Sequence, residues 1–452
     1  MLKKMTISNF KAWHEAEIEF GRITGIFGAN SAGKSSLLQL LLLLKQTKNA
    51  TDRGLVLDFG GSSDLVNLGT FSNVVHRHES DKRMSWRLFW KLPEKLKIDM
   101  HKGTPNRIRI EGDTLETSCE VGLSRSRLRT YRIAYKFNDV EYWVESQEGS
   151  EKNFKLDKDH SNFNFIRNRG RTRPLRSPIK THLFPDEIRY FYQNADFLDD
   201  FEYEYEDLMD SIYYLGPLRE YPRREYHWAG SSPDDVGQRG ERTVDAILAA
   251  TRDREMRSLG HRKRKKKFQE MIAYWLRELG LINEFRLEEI ANGTNLYQTI
   301  VKTSGSSTST ALTDVGFGVS QVLPVLVLLY YVPEGSTILL EQPEIHLHPA
   351  VQSGLADVML NVAKARKVQI IVESHSEHIL RRLQRRVAEE ITPPEDVALY
   401  FVSASGDKAK ASNLSLNQWG EIENWPVNFF GNEMGEFAAI AKAALSRKIE
   451  QS

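Results

Sequence analysis

The fold is decided by a stretch near the start of the chain, Gly28-Ala29-Asn30-Ser31-Ala32-Gly33-Lys34-Ser35, followed by Ser36, which fits the phosphate-binding P-loop pattern. It follows a short apolar segment, 22–27, and opens a leucine-rich one, 34–44, which predict a buried strand and a helix. The backbone N–H groups of such a loop and the N-terminus of its helix hold a polyphosphate. We therefore expect the loop to bind a nucleotide, with Lys34 against the β- and γ-phosphates and the Ser35 hydroxyl on Mg²⁺.

Length and composition narrow the class of protein around this loop. The chain has 452 residues, which suggests two or three structural units, and its net charge of +1 argues against a uniformly basic nucleic-acid wrapper. The single cysteine, Cys119, excludes a disulfide framework and fits a cytoplasmic protein. The longest apolar stretches, Leu37–Leu44 and Val322–Val332, are shorter than the ~20 residues that span a bilayer, so we expect no membrane partner.

The C-terminal part carries two more apolar runs that end in polar groups. Residues 336–340 predict a strand that delivers Glu341 at its carboxyl end, where α/β sheets place ligand-binding groups and where a carboxylate holds Mg²⁺, usually through water. The string Gln-Pro-Glu-Ile-His-Leu-His-Pro follows at 342–349. The second run, 368–372, leads into Glu-Ser-His-Ser at 373–376.

The block 341–349 resembles the Walker B and D-loop segment of ATP-binding-cassette ATPases of the Rad50/SMC and overcoming-lysogenization-defect type. The segment 368–376 resembles the switch-histidine segment of the same class, which implies that His375 hydrogen-bonds the γ-phosphate of ATP; a histidine satisfied in the core is the alternative. Residues 314–324 occupy the place of the cassette signature loop, although they depart from its usual Ser-Gly-Gly form. The resemblance implies that Gly318 and Ser320 contact the γ-phosphate on an opposing subunit.

The resemblance covers roughly residues 1–75 and 310–405, and it implies an α/β cassette-type P-loop ATPase head. We expect an N-terminal lobe at 1–75, a β-rich then helical recognition insertion at 76–300 and a C-terminal lobe at 301–452. The resemblance also implies a head-to-tail homodimer that sandwiches two ATP molecules. Apolar runs in the N-terminal lobe predict four short strands, Met5–Ile7, Ala16–Phe20, Ile23–Phe27 and Leu55–Phe59.

One departure bears on the reaction. Gln342 stands where cassette ATPases carry the carboxylate that activates water, and an amide cannot accept the proton. Either Glu344 serves as the base, or hydrolysis is slow and ATP mainly holds a closed dimer. General-base assistance commonly contributes about 10²–10⁴-fold, so the two readings differ in behaviour. We expect slow hydrolysis, with Glu341, Gln342, Glu344 and His375 as the catalytic set.

Other features leave alternatives open. His346 and His348 lie two residues apart near Glu344, which is also a conceivable zinc pair, although no third ligand is evident. Three basic stretches, at 124–132, 167–176 and 262–267, fit contact with DNA or RNA, a docking surface for an acidic protein, or a solvated face.

No nuclease signature is present in the sequence. The surroundings of Arg219 and the stretch 422–430 also look like a bacterial branch of these ATPases, many of which sit in anti-phage defence systems of the Septu-like, retron-associated or PARIS-like kind. The resemblance therefore implies a sensor or scaffold subunit that controls a separate effector, a nuclease or a toxin. The alternatives are a DNA-repair clamp similar to RecF or Rad50 and a non-hydrolysing, ATP-gated scaffold.

Overall fold

A computed structural model describes residues 1–426 except for 63, 100–108, 148–152, 160–162, 171–172, 261–262, 304–305 and 307. The strands are β1 Leu2–Phe10, β2 Trp13–Glu19, β3 Ile23–Gly28, β4 Met84–Asp99, β5 Arg109–Ser124, β6 Arg127–Phe137, β7 Val140–Ser146, β8 Phe154–Lys158, β9 Ile212–Leu215, β10 Tyr226–His227, β11 Met256–Arg257, β12 Lys266–Lys267, β13 Glu284–Glu289, β14 Leu296–Lys302, β15 Thr310–Ala311, β16 Thr337–Glu341, β17 Gln369–Glu373, β18 Val397–Ser405 and β19 Lys408–Asn413. The α-helices are α1 Lys34–Asn49, α2 Phe71–Val74, α3 Ile188–Phe191, α4 Leu198–Asp210, α5 Thr243–Arg252, α6 Phe268–Glu278, α7 Phe317–Tyr331, α8 Pro349–Arg366 and α9 Glu377–Ala388.

A six-stranded sheet forms the centre of the molecule, in the order β19-β18-β3-β17-β16-β9. All neighbours in it are parallel except β18 and β19. Its inner strands are buried on both faces, which is why they read as continuous apolar runs. Successive residues alternate between two cores: Leu339 packs with α1, whereas Ile338 and Leu340 pack with α7 and α8. The predicted α/β class is confirmed.

A seven-stranded antiparallel sheet, β2-β1-β4-β5-β6-β7-β8, shares a hydrophobic core with α1. Strand β1 pairs with β2 on one side and with β4 on the other, so this sheet runs across the predicted boundary at residue 75. Strand β9, from the predicted insertion, pairs with β16 at the edge of the central sheet. The division into 1–75, 76–300 and 301–452 remains a prediction.

The prediction of a strand at Leu55–Phe59 is wrong, since this segment pairs with no strand. A buried glutamine side chain supports it instead. The amide of Gln46 donates to the carbonyl oxygens of Asp58 (2.9 Å) and Val66 (3.3 Å) and accepts from the backbone N–H of Val66 (3.0 Å). The side chain of Gln46 is thus buried, and it anchors the loop that follows α1.

Candidate functional site

The P-loop lies at the carboxyl end of β3, in the middle of the central sheet. Glycine is required at both of its ends: Gly28 (φ 140°) leaves no room for a Cβ against the carbonyl oxygen of Val402, and Gly33 (φ 101°) is left-handed. The tip of the loop is exposed at Ala29, Asn30 and Ser31, whereas Ala32 is buried. Exposed backbone at the start of a helix suits an anion.

Of the side chains after the tip, those of Lys34 and Ser36 bond within the loop, and that of Ser35 contacts the next strand. Lys34 is buried and its ammonium donates to the carbonyl oxygen of Ala29 at 2.7 Å. The Ser36 hydroxyl donates to the carbonyl oxygen of Gly33 at 2.7 Å, so Ser36 stabilises the loop. The Ser35 hydroxyl faces the neighbouring strand end, where it donates to Glu373 Oε1 at 2.9 Å.

Glu373 belongs to the candidate site, although the sequence did not predict it. It ends β17, directly beside β3, and lies opposite Glu341 at the end of β16. The ammonium of Lys34 lies 4.0 Å from Glu373 Oε1. The signal that identified Glu341, an acidic residue closing a buried apolar strand, is present at Glu373 as well and could have found it.

Three buried carboxyl groups, those of Glu341, Glu344 and Glu373, lie near the buried basic side chains of Lys34 and Arg219. Burial, and then the nearby charge of Glu373, raises the pKa of Glu341 to about 7. Burial also raises the pKa of Glu344 and that of Glu373, although the Ser35 hydroxyl and Lys34 oppose the shift at Glu373. Oε2 of Glu344 and Oε2 of Glu373 are buried without a hydrogen-bond partner. Two buried carboxylate oxygens of the site therefore lack a donor, and a bound ligand or cation could supply their missing partner.

Gln342 lies in a tight turn after β16. Its φ is 44°, and its backbone N–H donates to the carbonyl oxygen of Glu373 at 2.8 Å. Arg219, which is buried, donates to the carbonyl oxygens of Gln342 (3.3 Å) and Glu341 (3.4 Å). Burial lowers the pKa of Arg219 to about 10, so it stays charged at neutral pH. Arg219, a residue of the predicted insertion, thus holds the turn that carries Glu341 and Gln342.

His375 lies between the P-loop and Glu344. Its backbone N–H donates to Glu344 Oε1 at 2.6 Å. Desolvation and then the charge of Lys34 lower the pKa of His375, while a hydrogen bond with the backbone of Gly28 opposes the shift. The residue is exposed, so the alternative of a histidine satisfied in the core does not fit. A neutral imidazole beside the loop can hydrogen-bond a phosphate.

His346 and His348 have separate surroundings. Within the described part of the chain, no group of three His, Cys, Asp or Glu side chains could hold a metal ion. Nδ1 of His348 accepts from the backbone N–H of Ala350 at 3.3 Å and caps α8, and His346 is exposed in a left-handed turn (φ 61°).

The predicted signature residues lie in the first turn of α7. Ser320 is buried and its hydroxyl donates to the carbonyl oxygen of Phe317 at 2.8 Å, so this hydroxyl is already engaged within the helix. Gly318 is partly exposed, and no backbone atom approaches its Cβ position. The donors that this end of α7 can offer are the unpaired backbone N–H groups of its first turn.

The basic stretches are partly paired within the chain. Arg132 contacts Glu141 at 2.8 Å and Arg176 contacts Glu187 at 3.0 Å. Residues 171–172 of the second stretch and 262 of the third lie outside the described residues, as do residues 427–430 of the C-terminal resemblance. Among the described helices, none is long and apolar enough to cross a membrane.

Comparisons with known proteins give the family of the chain. A family model described as "AAA domain, putative AbiEii toxin, Type IV TA system" matches residues 120–381, more than half of the chain. The chain belongs to this AAA family. A model described as "AAA ATPase domain" matches residues 1–215, and a protein family of unknown function, DUF3696, matches residues 392–440. The chain is therefore an ATP-binding P-loop ATPase. No curated protein matches it significantly.

Among solved structures, the chain is similar to three SMC head structures. The SMC head domain from Thermotoga maritima has 12% identity and a TM-score of 0.40, over 92% of this chain and 99% of that one. The Smc head with an extended coiled coil bound to the C-terminal domain of ScpA, derived from Pyrococcus furiosus, has 12% identity and a TM-score of 0.43, over 92% of this chain and 96% of that one. The SmcHead bound to the C-winged helix domain of ScpA has 13% identity and a TM-score of 0.46, over 92% of this chain and 98% of that one.

Proposed function

We propose that the chain is a cytoplasmic, cassette-type ATPase that binds Mg·ATP at residues 28–36 and hydrolyses it slowly. The observation that carries the proposal is the contact of the P-loop residues Lys34 and Ser35 with a buried carboxylate of the adjacent strand. The partnerless oxygens of Glu344 and Glu373 make the site suitable for a divalent cation, for which Ser35 and Glu341 are the predicted ligands. A metal ion held by these residues would supply neutralisation of the negative charge of the phosphates of ATP.

Slow turnover is supported by the surroundings of the catalytic set. Gln342 cannot take a proton, and one oxygen of Glu344 already accepts the backbone N–H of His375. Glu344 Oε2 has no partner but is buried, so it can meet an attacking water only after the site rearranges around the nucleotide. We therefore assign Glu344 as a weak base, with Gln342 orienting water.

ATP joins two copies of the chain in this proposal. The P-loop of one copy and the first turn of α7 of the other, around Gly318 and Ser320, enclose each nucleotide. The support is the exposed position of this helix start, where Phe317 is 57% exposed. Unpaired N–H groups at a helix N-terminus attract phosphate.

The proposal is tested by nucleotide binding, turnover and molar mass measured on the same samples. Wild type should bind ATP with Mg²⁺, release phosphate slowly and shift from monomer to dimer in light scattering. Lys34→Ala should lose binding and dimerisation, whereas Lys364→Ala, on the surface of α8, should behave as wild type. Retention of ATP affinity by Lys34→Ala would contradict the assignment of the site, and tight ATP binding without any phosphate release would favour a non-hydrolysing scaffold.

We assign the cellular role to defence against phage, as the sensor or scaffold that controls a separate effector. Two lines support it: the resemblance of the site motifs to ATPases of bacterial defence systems, and the description of the matched family as a putative AbiEii toxin of a type IV toxin–antitoxin system. Phage challenge of cells that express the chain with its neighbouring genes tests this role. Protection should be lost with Lys34→Ala, and protection by the mutant would contradict it. Retention of DNA at low salt would favour the clamp alternative.

A further inference from the structure

Glu373 occupies the position nearest to the P-loop serine. The central sheet has the order β3-β17-β16, so Glu373 ends the strand beside the P-loop strand, and Glu341 ends a strand further away. The Ser35 hydroxyl donates to Glu373 Oε1 at 2.9 Å. Glu341 instead shares a hydrogen bond with Tyr214, a residue of the edge strand β9, on the side away from the P-loop.

The second oxygen of Glu373 is left without a partner. The side chain is 3% exposed, and Oε2 is buried with no hydrogen bond. The ammonium of Lys34 lies 4.0 Å from Oε1 and donates to the carbonyl oxygen of Ala29. A buried carboxylate oxygen without a donor is costly unless a ligand or a bound water supplies one, so Glu373 is poised for a group that arrives with the nucleotide.

A purely structural role accounts for only half of this geometry. Holding Ser35 in place needs one acceptor oxygen, which a neutral glutamine would supply equally well. It does not need a negative charge or a second, unpartnered oxygen in a buried place. The charge and the free oxygen are what a hard cation with oxygen ligands requires.

We propose that Glu373 is a Mg²⁺-directed residue of the ATP site, which binds the metal's water shell through Oε2 while Ser35 contacts the metal. This inference rests on the proposed binding of Mg·ATP. Mg²⁺ keeps several waters and uses one or two carboxylates besides phosphate oxygens. Glu373 provides a carboxylate directly beside Ser35, whereas Glu341 ends a strand that is one position further from the P-loop strand. Since His375 follows two residues later, one segment carries both the metal-directed carboxylate and the predicted phosphate sensor.

The test uses Mn²⁺ in place of Mg²⁺ and a non-hydrolysable ATP analogue. Electron paramagnetic resonance measures the Mn²⁺ affinity of the protein–nucleotide complex, and calorimetry in EDTA measures binding of the analogue without metal. Glu373→Gln keeps the acceptor for Ser35 and removes the charge. It should bind the analogue in EDTA at least as tightly as wild type, but hold Mn²⁺ about 10- to 100-fold more weakly.

Two further variants complete the comparison. Glu373→Asp restores the charge and should recover part of the Mn²⁺ affinity, and it replaces Glu373→Gln if that variant fails to fold. Glu377→Gln, which removes a carboxylate of α9 paired with Arg381, should leave the Mn²⁺ affinity unchanged. Unchanged Mn²⁺ affinity in Glu373→Gln, or no recovery in Glu373→Asp, overturns the inference. Failure of wild type to bind the analogue would instead overturn the proposed function.

Discussion

At the scale of single residues, the chemistry of the site depends on which side chain assists water. Glu344 has one free oxygen, and Gln342 stands where a base is expected. We predict that Glu344→Gln slows single-turnover hydrolysis, and that Gln342→Glu speeds it toward the ~10²–10⁴-fold that a general base contributes. Rapid-quench measurement of phosphate release checks both. If Glu344→Gln leaves the rate untouched, Glu344 is not the base.

Arg219 fixes the turn on which these residues lie. Its guanidinium satisfies the carbonyl oxygens of Glu341 and Gln342 in a buried place. Since unsatisfied buried acceptors cost about 1–3 kcal/mol, Arg219→Ala should lower the free energy of unfolding by that amount. Urea titration is the measurement. The matched control is Arg223→Ala, which removes only a more exposed ion pair with Glu220 and should stay within ~0.5 kcal/mol of wild type.

A second buried acid, on α4, predicts a pH effect away from the nucleotide. Burial raises the pKa of Glu202 to about 8, although the backbone N–H of Phe184 and the charge of Arg189 oppose the shift. A raised carboxyl pKa means that the folded state holds the proton more tightly than the unfolded state. The contribution of Glu202 to stability is therefore present below pH ~4.5 and is lost as the pH rises to about 8.

Glu202→Gln removes this titration, since the amide accepts the same N–H and carries no charge. The free energy of unfolding of wild type should fall relative to that of Glu202→Gln by a few kcal/mol between pH 4.5 and 8, at ~1.4 kcal/mol per pKa unit. Chemical denaturation at several pH values gives this difference. Parallel pH profiles for the two proteins would contradict it, and Glu288→Gln, at an exposed position of β13, serves as the control.

At the scale of elements, a substitution at the start of α7 should affect ATP-dependent dimerisation without lowering the stability of the monomer. The Cβ of an alanine at position 318 would meet Leu281 and Leu347 at ordinary contact distances of 3.6 and 3.9 Å, so the monomer tolerates it. We predict that Gly318→Ala keeps the unfolding free energy or raises it by up to ~1 kcal/mol. Dimerisation with ATP should weaken, because the proposed contact needs phosphate to approach the partly exposed backbone of Gly318 closely. Unchanged ATP-dependent molar mass in light scattering would count against this helix start as the contact.

The elements that the sequence predicted well are those with strong local signals. The P-loop and α1 follow from the glycine spacing and the long leucine-rich run after it. The strands β3, β16 and β17 follow from short continuous apolar runs, which are typical of a buried parallel sheet. The error at 55–59 has a physical cause. The segment pairs with no strand, and side chains of α1 bond its backbone instead: Gln46 donates to the carbonyl oxygen of Asp58, and the Thr47 hydroxyl accepts from the Asp58 N–H.

At the scale of the whole molecule, one core joins the nucleotide site to the antiparallel sheet. Leu88 on β4 is fully buried in the same cluster as the leucines of α1. Leu88→Ala should therefore lower the free energy of unfolding by about 2–5 kcal/mol, in a single transition that includes α1. Hydrogen exchange resolved by peptide tests this. Loss of protection in β4 while α1 stays protected would support a domain boundary near residue 75.

The sequence by itself determined the α/β class and the P-loop, because a P-loop and buried parallel strands are encoded in contiguous residues. It also predicted a site at Glu341, Gln342, Glu344 and His375, which lie at or just after strand ends. Only the tertiary structure placed Glu373 on Ser35, Arg219 on the turn after β16, and β9 beside β16. These contacts join residues far apart in the chain, and strand order within a sheet is set by packing, which no local pattern records.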